Sequence, residues 1–153
     1  MKKLTLIGVL VVSALGTLFH FLYDWMPIFL FPKNESIFEH MKLILFPFLL
    51  YFIGCMVFYK GDKMALFSSF VSAILTSILV VIVSYYTYSG FIGKNIDWVN
   101  ILIYFISIGV GFIWIYQKKT LVSFSNSVIF LLMLLILVGV FSFYPPNLSF
   151  FKD

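Results

Sequence analysis

Five runs of apolar residues, each long enough to cross a bilayer, leave this chain few ways to fold. They are Leu4–Tyr23, Ile37–Tyr59, Met64–Tyr88, Trp98–Tyr116 and Ser123–Phe143. A helix needs about 20 mostly apolar residues to span hydrocarbon. Hydrocarbon satisfies no backbone N–H or C=O, so each run must close its own hydrogen bonds, and these runs are too long for barrel strands. The expected fold is all-α: a polytopic membrane helical bundle of five transmembrane helices in one integral domain over residues 1–153. Charge agrees. Only 10% of the residues are charged, against roughly 25% in soluble domains, which is too few to cover a water-facing surface. The first run begins like a signal peptide, with Lys2 and Lys3 ahead of an apolar stretch. No convincing small-x-small cleavage site precedes His20 and the apolar run continues to Tyr23, so the run is expected to stay as the first membrane helix.

Lysine placement orients the bundle. The ten cationic residues are all lysine, against six acids. With the N-terminus cytoplasmic, Lys2, Lys3, Lys60, Lys63, Lys118 and Lys119 lie inside, while Lys33, Lys42, Lys94 and Lys152 lie outside. Cytoplasmic ends are the lysine-rich ones, so the expected topology is N-in, C-out. The aromatics Tyr23, Trp25, Tyr86, Tyr88, Trp98 and Tyr144 fall at outer ends, and Tyr59, Trp114 and Tyr116 at inner ends, as interfacial rings do. The lysines are scattered, so no nucleic-acid partner is expected; the bilayer is the expected partner. A lone cysteine, Cys55, excludes an internal disulfide and reads as a small buried residue.

Packing signals lie along the runs. Ala65, Ser69, Ala73 and Ser77 recur every four residues in the third, a small-residue stripe that lets helix backbones approach closely. Gly109 and Gly111 in the fourth are expected to do the same. Gly8, Val12, Gly16, His20 and Asp24 form another four-residue stripe in the first. Between the first two runs, Pro27 and Pro32 bracket Ile28–Phe31 and break helix on both sides. Residues 24–36 are expected to form an interfacial wedge, either a lid over what lies beneath or a plain hydrophobic loop.

Polarity concentrates in one place. Residues Pro32 to Lys42, PKNESIFEHMK, hold two acids, two lysines, a histidine, an asparagine and a serine. Part of this is helix-end chemistry. Ser36-Ile37-Phe38-Glu39 fits a capping box, with Ser36 serving the N–H of Glu39 and Glu39 reaching back to the N–H of Ser36. Asn34 and Glu35 suit the positive end of the helix dipole. Capping does not account for His40 or Lys42. The only other histidine, His20, lies near the outer end of the first run, one turn before Asp24. Antiparallel helices joined by a short loop are neighbours, so the two imidazoles are expected at similar depth.

Ionisable residues at membrane depth are costly and point to function. The candidate catalytic set is His20, Asp24, Glu35, Glu39 and His40. Within it, His20, Asp24 and His40 are candidate ligands for zinc or another divalent metal, with water at the open position. Such a metal lowers the pKa of its water, and a spare carboxylate serves as base. Asn34, Ser36 and Lys42 are candidate ligand-binding residues, Lys42 for a phosphate or carboxylate beside the helix N-terminus. A metal-free alternative makes His40 the base, oriented by Asp24 or Glu39. Asp97, Trp98 and Asn100 open the fourth run on the same face. In the tail, Pro145 and Pro146 stop the fifth run, Phe150 and Phe151 are expected to fold back, and Asn147 and Asp153 are near enough to join the cluster. Three function classes remain open: an enzyme acting on a lipid or lipid-linked substrate, a small-ligand binding or transport protein, and a structural or accessory subunit in which the motif caps and ties helices.

The long motif, with Phe46-Pro47 after it, resembles the hallmark of a family of small multi-pass bacterial membrane proteins, mostly from Firmicutes, known as a domain of unknown function. That hallmark reads Pro-Val-Asn-Glu-Ser-x-Trp-Glu-His-x-Lys; here Lys33 and Phe38 replace the usual Val and Trp. His20–Trp25 and Pro145–Asp153 resemble the family's two other shared patches. The resemblance implies the architecture and the grouping of three patches, and it implies no activity.

Overall fold

A computed structural model describes residues 2–22 and 29–151. Among these the chain is all-α, with five helices long and apolar enough to span a membrane. They are α1 (Lys2–Phe21), α2 (Ile37–Phe58), α3 (Lys63–Ile92), α4 (Asp97–Gln117) and α5 (Phe124–Phe143); a 3-10 turn, Ser149–Phe151, follows. Four of the five end within about two residues of the spans expected from hydropathy, and α3 runs on from Tyr88 to Ile92. Nothing in Ser89–Ile92 stops a helix. The break comes at Gly93, which takes the left-handed conformation (φ 76°) and returns its N–H to the Ser89 carbonyl. At 1.5 Å per residue the 30 residues of α3 reach about 45 Å, well beyond the roughly 30 Å of hydrocarbon.

Helices α1, α2, α3 and α4 close a ring, each packed against the next and α1 against α4, while α5 packs on α3. The N-terminal half of α2, from Ile37 to Phe48, is buried except at His40, which is partly exposed. Small residues set the close approaches. On α3, Ser69, Ala73 and Ser77 are buried, and Ser77 Oγ donates to the Ser107 carbonyl of α4 at 2.8 Å. A Cβ at Gly111 would lie 2.8 Å from the Ala73 carbonyl, so α4 must be bare there. Gly109 does not share that role, since a Cβ on it would meet nothing within 4 Å. Two residues along a helix are turned by about 200°, so only one of this pair can face α3. Ala65 is likewise exposed, and the stripe begins at Ser69. On α1, the buried residues are Gly8, Val12 and Gly16.

Pro47 interrupts α2. It has no N–H for the carbonyl four residues back, that of Leu43. The Tyr104 hydroxyl of α4 reaches this carbonyl at 3.5 Å, and those of Val12 and Ser13 on α1 at 3.4 Å each. One phenol thus ties α4 to α1 and to the gap in α2. Gly16 completes the crossing: a Cβ there would stand 2.6 Å from the Leu43 oxygen and run into the Tyr104 hydroxyl. Below this level the core is aromatic, with Phe48 stacked on Phe112 at 4.9 Å and edge-on to Phe70.

Candidate site at the motif end of the bundle

The motif loop is built from its own polar side chains. Asn34 Oδ1 accepts from the Ser36 N–H at 3.1 Å, and Asn34 Nδ2 donates to the Phe151 carbonyl at 3.5 Å, tying the loop to the tail. Ser36 Oγ accepts from the Glu39 N–H at 3.3 Å, as a helix cap should. The reciprocal half of the capping box is replaced. Glu39 Oε2 accepts from the Lys33 N–H at 2.7 Å, and the Ser36 N–H goes to Asn34. The reason is Lys42, one turn on, whose ammonium donates to Glu39 Oε2 at 2.5 Å and to the Phe31 carbonyl at 3.4 Å. Glu39 is 4% exposed and Lys42 0%. The ammonium considered for a phosphate is turned inward onto a carboxylate, and Glu39 is held by Lys42 and the Lys33 N–H. Buried ions demand such partners. Asn34, Ser36, Glu39 and Lys42 together clasp the loop to α2.

The loop apolars turn inward too. Phe31 packs against Phe19 of α1 at 4.7 Å and Phe29 against Phe46 of α2 at 5.5 Å. Phe38 meets Phe141, Phe150 and Phe151, so the tail does fold back onto the motif. Asn147 is exposed. Asp24, like the rest of 23–28, and Asp153 lie outside the described residues.

The remaining three motif-end groups converge. One ligand-capable atom each from His20, Glu35 and His40 lies within 4.8 Å of the others. The two imidazole rings, one in the last turn of α1 and one in the first turn of α2, have centroids 5.6 Å apart at 38°. His40 Nδ1 is 2.9 Å from the Ser36 carbonyl oxygen. A carbonyl only accepts, so Nδ1 carries the proton and Nε2 faces outward. Nε2 lies 3.4 Å from Glu35 Oε2. Two lone pairs at that distance repel unless a proton or a cation lies between them. Metal-bound histidines characteristically donate their second nitrogen to a carbonyl or carboxylate, which fixes the tautomer. Bonds of 2.0–2.1 Å in a tetrahedral arrangement put ligand atoms about 3.4 Å apart, so holding an ion requires this set to close by up to about 1.4 Å. Two histidines and a glutamate with an open position form one of the catalytic zinc sets.

These groups stand at one end of a cavity of about 620 Å³ between α1, α2, α3 and α4. Its polar end carries His20, Glu35, His40, Asn95, Asp97 and Asn100, while Leu43, Ile44, Val81 and Ile103 line the apolar part. Phe21, Ile101 and Phe105 also line it and are exposed on the outside of the bundle. Trp98 is exposed and outside the lining. A smaller hollow of about 310 Å³ adjoins it, sharing Glu35, Ile37, Tyr85 and Asn95.

Sequence reading missed Tyr85, Asn95 and Tyr104. One of them, Tyr104, carried a signal. Asp97, Asn100, Tyr104, Ser107 and Gly111 fall at i, i+3, i+7, i+10 and i+14, a polar and small stripe on one face of α4. Tyr85, within the span expected for α3, lines both the cavity and the adjoining hollow.

Neither a curated protein nor a solved structure matches the chain. A model of one sequence family, described as a family of unknown function (DUF6512), matches residues 1–153. Five helices of this chain are long and apolar enough to cross a membrane, and with the match running the whole length, the chain is a member of the DUF6512 family.

Proposed function

We propose that this protein is a membrane-embedded, metal-dependent hydrolase or transferase acting on a lipid or lipid-linked substrate. The observation that carries this is the convergence of His20, Glu35 and His40 within 4.8 Å at the polar end of an otherwise apolar cavity. A bound divalent ion such as zinc supplies a Lewis acid and a water acidic enough to ionise near neutral pH. The chain's own groups do the rest. The Ser36 carbonyl holds the His40 tautomer, Glu35 offsets the charge of the ion, and Asp97 is the carboxylate left in the lining to accept a proton. The apolar lining suits an acyl or polyprenyl chain, and the exposed rim of Phe21, Ile101 and Phe105 suits entry from the bilayer. Pockets of this size accommodate small organic ligands.

Lysine distribution supports placing the motif end outside the cytoplasmic membrane of a bacterium, with the N-terminus inside.

The test is elemental analysis of detergent-purified protein after zinc loading and desalting, wild type beside His20→Ala, His40→Ala and Glu35→Gln. About one metal per chain is expected in the wild type, with loss in both histidine variants while their helical circular dichroism is unchanged. Wild-type protein without stoichiometric metal, or histidine variants that retain it, refutes the metal centre.

A further inference from the structure

We infer that the head group taken at the polar end of the cavity is uncharged and hydroxyl-bearing, a glycerol or sugar head on an acyl-chain tail, rather than a phosphate. The inference rests on reading this cavity as the substrate site. Three observations carry it.

The first is charge. Among the described residues no lysine lines the cavity, whereas Glu35 and Asp97 do. Lys42 is fully buried against Glu39, and Lys94 is exposed outside the lining. Phosphate sites are built from cations and converging N–H donors. Even with a divalent ion on His20, Glu35 and His40, the two carboxylates offset both of its charges, so the polar end remains neutral overall.

The second is an oriented carboxamide. The Tyr88 hydroxyl accepts the Ile96 N–H at 3.3 Å and donates its one proton towards Asn100 Oδ1 or Asn95 Oδ1. Asn100 Nδ2 donates to Asn95 Oδ1 at 2.7 Å. Asn95 is thereby fixed with its oxygen in the network and its NH₂ on the other side. Asn95 lines both the cavity and the adjoining hollow. The polar end therefore offers a donor at Asn95 and acceptors at Asp97 and Glu35. A hydroxyl, which both donates and accepts, satisfies both kinds; a phosphate diester has only acceptors.

The third is the lining below, where Leu43, Ile44, Val81 and Ile103 leave room for hydrocarbon next to the polar end. An amphiphile fits; a free sugar leaves that lining uncovered.

The experiment uses the full chain, zinc-loaded, in a detergent with a polyoxyethylene head. Three probes with identical tails are titrated: dioctanoylglycerol, dioctanoyl phosphatidate and dioctanoyl phosphatidylethanolamine. The glycerol head is expected to bind tightest. Asn95→Asp keeps the acceptor for Asn100 while removing the donor, and should weaken glycerol binding about tenfold, the equivalent of one hydrogen bond. Tighter binding of phosphatidate or the ethanolamine lipid, equal binding of all three, no binding of any, or an Asn95→Asp variant that binds as wild type overturns the inference. Metal content measured on the same samples separates the two ideas. Stoichiometric metal with no head-group preference removes only this inference, and a glycerol preference in protein without metal removes only the metal centre.

Discussion

Lys42 and Glu39 present the sharpest energetic test in this molecule. Their charges meet at 2.5 Å with 0% and 4% of each residue exposed. At an effective dielectric of about 20, two unit charges at this separation attract by roughly 7 kcal/mol. Desolvation of each ion costs several kcal/mol and offsets most of that. The pair is therefore near neutral as a unit and expensive to halve. Lys42→Met leaves the Glu39 carboxylate buried, with the Lys33 N–H as its remaining donor among the described residues. Glu39→Gln leaves a buried ammonium opposite a weaker acceptor. Each single change should cost about 3–5 kcal/mol. If the two acted independently, the double variant would lose their sum, about 6–10 kcal/mol. It should instead lose no more than the worse single, a coupling of about 3 kcal/mol or greater. Reversible unfolding in mixed micelles of increasing SDS fraction, followed by circular dichroism, gives the three differences. Additivity to within about 0.5 kcal/mol would refute the claim that this pair acts as one buried unit clasping the loop.

Two further expectations follow from the crossing of α1, α2 and α4. Tyr104→Phe removes the hydroxyl over the Leu43 carbonyl and should cost about 1 kcal/mol; Pro47→Ala returns an N–H to that carbonyl, so the same change should cost less in the Pro47→Ala background, and equal costs in the same unfolding assay would show that the phenol does not serve the proline gap. Gly16→Ala places a Cβ 2.6 Å from the Leu43 oxygen and should cost about 1–3 kcal/mol while lowering zinc retention, because His20 lies one turn further on the same stripe; Gly54→Ala, where a Cβ meets nothing within 4 Å, is the control, and equal unfolding midpoints for the two would contradict the close approach.

How much of the site was legible varies residue by residue. His20 and His40 could be paired in advance because two helices joined by a short loop must run side by side, and each histidine sits near the joined end. The cap at Ser36 was visible as a local pattern, since its acceptor and donor are three residues apart. The partner of Glu39 was not. A capping box and an i, i+3 ion pair make competing claims on the same carboxylate, and the winner depends on how deeply Lys42 is buried by elements far away in sequence. Glu35 shows the converse. The helix dipole explained it only in part and it stood in the candidate set with the histidines, and the fold of Asn34–Ser36 carries it to the two imidazoles. Tyr104 lay on a polar stripe of α4, but its role was hidden, because it comes from a carbonyl left unpaired by a proline on another helix.

Hydrophobicity over windows of about 20 residues settled the number and extent of the helices, since the bilayer tests length and apolarity locally and leaves an unpaired backbone no alternative. Which helices touch, and therefore which polar groups share a cavity, was left to packing. There, a missing side chain at Gly16 or Gly111, a missing N–H at Pro47 and a buried ion pair at Glu39 and Lys42 act over distances that no local pattern along the chain encodes.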